Sequence, residues 1–136
     1  KAIGDFRAGR RKDLRMQHFS DPQHLVDEAE IAAVAAHVAS LRRLLPATRG
    51  DGSRLERGAS LFAARCVDCH GAEAGAAAAP PRPALAGQHA PYLERKLREG
   101  AYMTTGQART HANLASALGP DGIAAVADWL SRLPPP

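Results

Sequence analysis

Cys66-Val67-Asp68-Cys69-His70 lies near the middle of the 136-residue chain and contains its only two cysteines. Two cysteines separated by two residues and followed directly by histidine form the C-x-x-C-H pattern of c-type haem attachment. Each thiol adds to one vinyl group of the porphyrin, and the adjacent histidine is held beneath the iron as an axial ligand. The motif therefore predicts haem c bound covalently at Cys66 and Cys69, with His70 on the iron.

Two other uses of paired cysteines fit the surrounding sequence less well. A thioredoxin-like redox pair needs a preceding strand and a helix N-terminus under the first thiol, whereas residues 53–65 predict a helix that ends at the motif. A zinc site needs a second pair of ligands, and the histidines show no finger spacing. Two cysteines are also too few for a disulfide framework.

The helix before the motif begins at a predicted capping box, Ser53-Arg54-Leu55-Glu56. Gly58 lies inside this helix, where glycine costs about 1 kcal/mol relative to alanine. We therefore expect another helix to cross close to the backbone at Gly58. The apolar face of the helix consists of Leu55, Ala59, Phe62 and Ala63.

Two more helices are predicted after the motif. Residues 71–88 are rich in Gly, Ala and Pro and predict irregular structure. The next helix has Pro91 in its first turn and Gly100 at its end, and it includes a favourable Glu94 to Arg98 pair. Residues 101–118 read as a loop. The last helix starts near Pro120 and presents Ile123, Val126, Ala127 and Leu130 on one stripe, with Trp129 beside it.

The part of the chain before the motif partly repeats the part after it. A capping box at Asp27–Glu30 opens a helix whose apolar stripe runs from Ile31 to Leu45 and ends at Pro46. Residues 31–35 resemble residues 123–127. His18 precedes Leu25 by seven residues, and His111 precedes Leu118 by the same number. Residues 1–46 thus read as the C-terminal part of a unit that residues 53–136 contain whole, with residues 47–52 as a linker.

Taken together, these segments resemble a class I cytochrome c, and most of all the two-domain, dihaem cytochromes c of the bacterial periplasm. The resemblance implies an all-α fold in which helices wrap around a covalent haem, preceded by the C-terminal part of a second cytochrome-like unit. It also implies that the first and last helices of the complete unit, residues 53–136, cross at Gly58, Phe62 and Trp129. The residues that carry the resemblance are Gly58, Phe62, the Cys66–His70 motif with Gly71, Pro83-Ala84-Leu85-Ala86-Gly87-Gln88, and Trp129.

The resemblance further implies two contacts of the haem ligands. The carbonyl oxygen of Pro83 accepts a hydrogen bond from the free ring nitrogen of His70. A methionine usually supplies the sixth iron ligand, and at its place this chain has His111. Met103, eight residues earlier, is the competing ligand, and an open site is a third alternative. His111 is favoured because His18 occupies the matching place in the partial repeat, and two imidazoles predict a low-potential, six-coordinate, low-spin haem.

His18 raises the possibility of a second haem. If the repeat is real, His18 is the distal ligand of a haem whose attachment motif precedes residue 1. The alternatives are a first unit that has lost its cofactor and an ordinary loop histidine. Because the first residue is Lys1 rather than Met, we expect that a leader or a longer stretch has been removed.

Composition and charge narrow the range of partners. The formal net charge is +4, and residues 1–65 contain 12 Lys/Arg against 8 Asp/Glu, whereas residues 66–136 contain 6 of each. This basic excess predicts either an acidic redox partner or an ordinary solvated surface, and the lack of base-stacking aromatics argues against nucleic acid. No apolar run is long enough to cross a membrane. The excess lies largely in Arg7, Arg10, Arg11, Lys12 and Arg15.

The expected function is electron transfer rather than catalysis, as a periplasmic carrier or as an electron-transfer subunit of a larger redox complex. The main alternative is the haem domain of an enzyme, for example in sulfur-compound oxidation, which needs an open or displaceable sixth ligand. A domain that only relays electrons between neighbouring haems is a third possibility.

Overall fold

The computed structural model describes residues 2–25, 27–42, 44–75, 83–100 and 106–136. Within these ranges the chain forms helices and no β-strand, so the all-α prediction is confirmed. Two compact units divide the chain, Lys1–Arg42 and Arg43–Pro136. The helices are α1 (Ala2–Arg7), α2 (Leu14–Phe19), α3 (Glu28–Ser40), α4 (Leu55–Arg65), α5 (Val67–His70), α6 (Ala90–Glu99) and α7 (Gly106–Arg132).

The core of the second unit forms where α4 crosses α7. A Cβ atom placed on Gly58 would lie 2.2 Å from the carbonyl oxygen of Ala125 and 2.7 Å from the Cβ atom of Trp129. The ring centroids of Phe62 and Trp129 are 4.9 Å apart. The predicted crossing is therefore confirmed, and glycine is required because the two backbones approach too closely for any side chain. Around this contact the core contains Phe62, Leu93, Val126, Ala127 and Leu130.

The start of α4 differs from the predicted capping box. The hydroxyl of Ser53 donates a 2.6 Å hydrogen bond to Asp51, and the N-cap residue, Arg54, makes no side-chain cap. Instead, the buried carboxylate of Asp128 in α7 accepts hydrogen bonds from the backbone nitrogens of Gly52, at 2.9 Å, and Arg54, at 3.1 Å. A carboxylate from a distant helix thus replaces the local cap.

Residues 47–52, which the sequence predicts as a linker, form hydrogen bonds with α6 and α7. The backbone nitrogen of Gly50 donates to the hydroxyl of Ser131 at 3.0 Å. The carbonyl oxygen of Thr48 accepts from the backbone nitrogen of Ala90, also at 3.0 Å. The polar backbone of the segment finds its partners on α6 and α7, which the local sequence does not reveal, and the compact unit begins at residue 43.

The last helix is longer than predicted. Residues 106–118, which read as a loop, form the first part of α7. Gly119 then breaks the helix with φ 62° and ψ 178°, and Pro120 opens the second part, as expected for a residue that cannot donate a backbone hydrogen bond. The first part becomes helical because Leu118 is buried in the second unit, so packing overrides a weakly patterned sequence. In α6 the predictions are confirmed: Pro91 lies in the first turn, and Arg98 donates to Glu94 at 2.8 Å.

In the first unit, α3 begins as predicted but is shorter. The side chain of Asp27 accepts a hydrogen bond from the backbone nitrogen of Glu30 at 2.8 Å, which confirms the N-cap. The helix ends at Ser40 rather than at Leu45, with Leu41 in an extended conformation. No residue of α3 is buried. Without a packed face, the last turn gains too little to form.

Candidate haem site

The two cysteines lie at the junction of α4 and α5. The backbone nitrogen of Cys66 donates a hydrogen bond to the carbonyl oxygen of Phe62, which closes the last turn of α4. The backbone nitrogen of His70 donates to the carbonyl oxygen of Cys66 at 2.9 Å. The single turn of α5 leaves Cys69 exposed while Cys66 and His70 are buried. Gly71, with φ 74°, ends the turn and redirects the chain. The motif is thus a compact helical bend that holds Cys66, Cys69 and His70 within five residues.

The thiol chemistry of the site opposes a thioredoxin-like role. Burial, followed by the effect of Cys69, raises the pKa of the Cys66 thiol to about 11. A catalytic redox cysteine requires the opposite shift, because the thiolate is the nucleophile. Cys66 is both the C-cap of α4 and the N-cap of the single-turn α5, so the two helix dipoles act on its thiol in opposite directions. Neither cysteine forms a disulfide.

His70 has a defined ring orientation. Its Nδ1 atom lies 3.3 Å from the carbonyl oxygen of Pro83. A carbonyl oxygen can only accept, so Nδ1–H donates this hydrogen bond and Nε2 remains the nitrogen available to a metal. The contact is the one that the resemblance implied for Pro83.

His111 stands opposite His70 although 41 residues separate them in the chain (111 − 70). The ring centroids of His70 and His111 are 6.3 Å apart, with an interplanar angle of 59°. A bond from an imidazole nitrogen to a metal is about 2 Å long, so two imidazoles on one ion have centroids about 6 Å apart. The two histidines therefore have a spacing that fits a single iron between them.

Gly100 allows His111 to reach this position, and the sequence reading missed this role. A Cβ atom on Gly100 would lie only 2.9 Å from the Cβ atom of His111. The glycine was interpreted as a helix stop, and it does stand at the C-cap of α6. A signal was present in the partial repeat, where Gly9 and Gly100 each precede a histidine at similar distance. Asp128 was also missed: it is a buried acidic residue of the last helix that lies off its apolar stripe.

The other ligand candidates are differently placed. Met103 lies outside the described residues. His18 is exposed in the first unit, with its ring 4.2 Å from that of His24 and 5.2 Å from that of Phe19. In the parts of the chain that the structure describes, no group of three or more His, Cys, Asp or Glu side chains is arranged to hold a metal ion.

A cavity of about 430 Å³ in the first unit is lined by Ile3, Met16, Phe19, Ser20, His24, Leu25 and Val34.

The basic segment of the first unit is partly used within that unit. Arg7 donates to the carbonyl oxygen of Ser20 at 2.7 Å and also to that of Leu25. Arg10 pairs with the largely buried Asp5 at 2.9 Å. These two arginines stabilise local structure, so the segment presents less charge to a partner than the sequence alone suggests.

Comparison with known proteins places these features in context. Residues 55–134 match the family model described as cytochrome c. The fold is similar to that of cytochrome c4 from Acidithiobacillus ferrooxidans, with a TM-score of 0.72 and 21% identity over 96% of this chain and 81% of that chain. It is also similar to thiosulfate dehydrogenase (TsdBA) from Marichromatium purpuratum, with a TM-score of 0.69 and 28% identity over 98% of this chain and 30% of that chain. No curated protein sequence matches the chain.

Proposed function

The chain belongs to the cytochrome c family, and on this premise we propose that it carries electrons through a haem held between His70 and His111. Family membership confirms the resemblance to class I cytochromes c that the sequence suggested. It also makes haem c the cofactor, with Cys66 and Cys69 at the spacing of its attachment motif, and haem-based electron transfer the general function.

The observation that carries the proposal is the close approach of two imidazoles from distant parts of the chain. The centroid separation of 6.3 Å between His70 and His111 suits one iron. Gly100 leaves room for His111, and the carbonyl oxygen of Pro83 orients His70. The lack of a side chain at Gly100 thus favours the position of His111, and the hydrogen bond to Pro83 favours the ring orientation of His70.

Bis-histidine ligation has consequences for the reaction. The haem supplies a one-electron redox couple, and the protein sets its potential through the axial ligands and their hydrogen bonds. Methionine sulfur raises the potential, so histidine in its place lowers it. Two protein ligands also leave no position for a substrate, which favours electron transfer over catalysis.

The axial ligand is tested by spectroscopy of the oxidised, haem-loaded protein. We expect the near-infrared spectrum to lack the charge-transfer band that methionine sulfur on ferric iron produces. His111→Met should introduce that band, and the matched control Met103→Leu should leave the spectrum unchanged. A methionine band in the unmutated protein that disappears in Met103→Leu would refute the assignment of His111.

We also propose that residues 1–46 are the C-terminal part of a first cytochrome c-like unit. Val126 and Leu130 in α7 are 2% and 1% exposed, whereas their counterparts in the repeat, Val34 and Val38, are 41% and 59% exposed. The repeated apolar face, which α4 covers in the second unit, is thus uncovered in the first. In limited proteolysis of the haem-loaded chain we expect cleavage within α3 before cleavage within residues 43–136. Equal resistance of the two units would count against an incomplete first unit.

A second haem at His18 belongs to the same proposal. This chain has one attachment motif, so mass spectrometry should find one covalent haem per polypeptide. Added free haem should bind the first unit through His18, and His18→Ala should abolish this binding while the unrelated exposed His37→Ala does not. Binding that survives His18→Ala would remove His18 from the ligand set.

An enzyme domain is the competing function, and the 28% identity to a thiosulfate dehydrogenase supports testing it. Such an enzyme needs a sixth ligand that leaves the iron. We expect reduced protein not to bind carbon monoxide, whereas His111→Ala should bind it readily. Rapid binding by the unmutated protein, together with turnover of a sulfur compound such as thiosulfate, would favour the enzyme.

The proposal includes the bacterial periplasm as the site of action, with a redox protein or a larger complex as partner, because the resemblance is to periplasmic cytochromes. None of the helices in the described ranges has the length and apolar character needed to span a membrane. Fractionation of cells that express the protein from its natural gene is the direct test. Recovery of the haem-loaded protein only from the cytoplasm would contradict the proposal.

A further inference from the structure

Residues 83–88, called the Pro83 loop below, are held in place by Ala74, which follows the haem-attachment motif in the chain. The carbonyl oxygen of Ala74 accepts hydrogen bonds from the backbone nitrogens of Leu85, at 2.8 Å, and Ala86, at 3.0 Å. Ala74 is fully buried and has φ 54°, a conformation that non-glycine residues seldom adopt. The structure therefore maintains a strained residue where it anchors this loop.

The end of α7 holds the same loop from the other side. The backbone nitrogen of Gly87 donates a 3.0 Å hydrogen bond to the carbonyl oxygen of Leu130. Leu130 lies in the last turn of α7, where carbonyl groups lack partners within the helix. The loop that orients His70 is thus bonded directly to the helix that also carries His111.

In the segment Pro134-Pro135-Pro136, Pro135 lies against Gly87 and Pro136 lies against Gly75. A Cβ atom on Gly87, whose φ is +68°, would lie 2.8 Å from the Cβ atom and 3.0 Å from the nitrogen of Pro135. A Cβ atom on Gly75 would lie 3.5 Å from the Cβ atom of Pro136. Consecutive prolines are stiff and extended, so the segment makes these contacts at a small cost in conformational entropy.

We propose that Pro135 and Pro136 act as a positioning element that presses the Pro83 loop towards His70 and thereby sets the strength of the hydrogen bond from Nδ1 to the Pro83 carbonyl. When Nδ1–H donates this hydrogen bond, the opposite ring nitrogen becomes a stronger ligand. A stronger ligand favours oxidised iron and lowers the reduction potential. The inference rests on the proposed electron-transfer function and on His70 as an axial ligand. It does not depend on the identity of the sixth ligand.

The test compares Pro135→Gly with Pro134→Ala, a control at an exposed position in the same segment. We expect Pro135→Gly to raise the reduction potential of the haem. At the midpoint potential of the unmutated protein, the ratio of reduced to oxidised haem should increase about threefold. At 59 mV per tenfold change for one electron, this corresponds to a rise of about 30 mV. The Nδ1 proton resonance of His70 should move in the direction of a weaker hydrogen bond. Pro134→Ala should leave the potential and the resonance unchanged.

Other results would overturn the inference. A lower melting temperature of Pro135→Gly with an unchanged potential would assign the segment a purely structural role. Equal shifts in both variants would show that the contact with Gly87 has no particular effect. If Pro135→Gly does not fold, Pro135→Ala provides the same comparison with a smaller perturbation. The near-infrared spectrum, recorded on the same samples, separately reports whether methionine or histidine is the sixth ligand, so failure of the bis-histidine proposal is distinguishable.

Discussion

Replacement of Gly58 by alanine tests the helix crossing on which the haem-bearing unit depends. The added Cβ atom would lie 2.2 Å from the carbonyl oxygen of Ala125, 2.9 Å from its carbonyl carbon, and 2.7 Å from the Cβ atom of Trp129. Two of these neighbours are backbone atoms of α7, so no side-chain rotation relieves the overlap. The helices must separate, and this loosens the contact between Phe62 and Trp129, whose centroids are 4.9 Å apart.

Two opposing effects determine the size of the change. Alanine is the better helix former, and its propensity stabilises α4 by about 1 kcal/mol relative to glycine. Overpacking of a core costs about 1–3 kcal/mol, and more where backbone must move. A backbone overlap belongs at the upper end, so we expect a net loss of about 2 kcal/mol in the free energy of unfolding. For a domain of this size 1 kcal/mol lowers the melting temperature by about 4–8 °C, which gives a decrease of about 8–16 °C.

Thermal unfolding of the haem-loaded protein, followed by far-ultraviolet circular dichroism, measures this decrease. Ser60→Ala is the matched control, because Ser60 is an exposed position of the same helix and the change affects propensity alone. The control should be stabilised by a few tenths of a kcal/mol. An unchanged or higher melting temperature of Gly58→Ala would refute the argument that close backbone approach requires glycine at this position.

Three further changes have defined expectations. Asp128→Ala should destabilise the protein by about 2–3 kcal/mol, measured by chemical denaturation, because two backbone nitrogens lose a charged acceptor; a loss below 0.5 kcal/mol would contradict this role of the carboxylate. Ser53→Ala should change the same free energy by less than about 0.5 kcal/mol, since Ser53 does not cap α4, and a loss of 1 kcal/mol or more would restore the capping box. Gly100→Ala should displace His111 and weaken the proposed bond of His111 to iron about tenfold, measured as faster binding of carbon monoxide to the reduced protein. Ser116→Ala, on the exposed side of α7, should leave this binding unchanged.

The amino-acid sequence by itself determined the cofactor chemistry and most of the local structure. The spacing within Cys66–His70 predicted covalent haem because the chemistry of attachment acts over five consecutive residues. The N-cap at Asp27 and the limits of α6 were likewise predictable, since caps and helix stops depend on residues within one turn. The glycine at position 58 was informative for a similar reason, because its cost in a helix demands a packing explanation.

Only the tertiary structure decided how distant parts of the chain meet. His111 lies close to His70 although 41 residues separate them in the chain (111 − 70). The carboxylate of Asp128 accepts a hydrogen bond from the backbone nitrogen of Arg54, 74 residues earlier. Neither contact is visible in the local sequence. The helical state of residues 106–118 and the early end of α3 have the same origin, since burial stabilises one and is lacking for the other. Local chemistry acts through bonded neighbours, whereas caps, close approaches and helix ends that rest on packing depend on surfaces that exist only after the chain has folded.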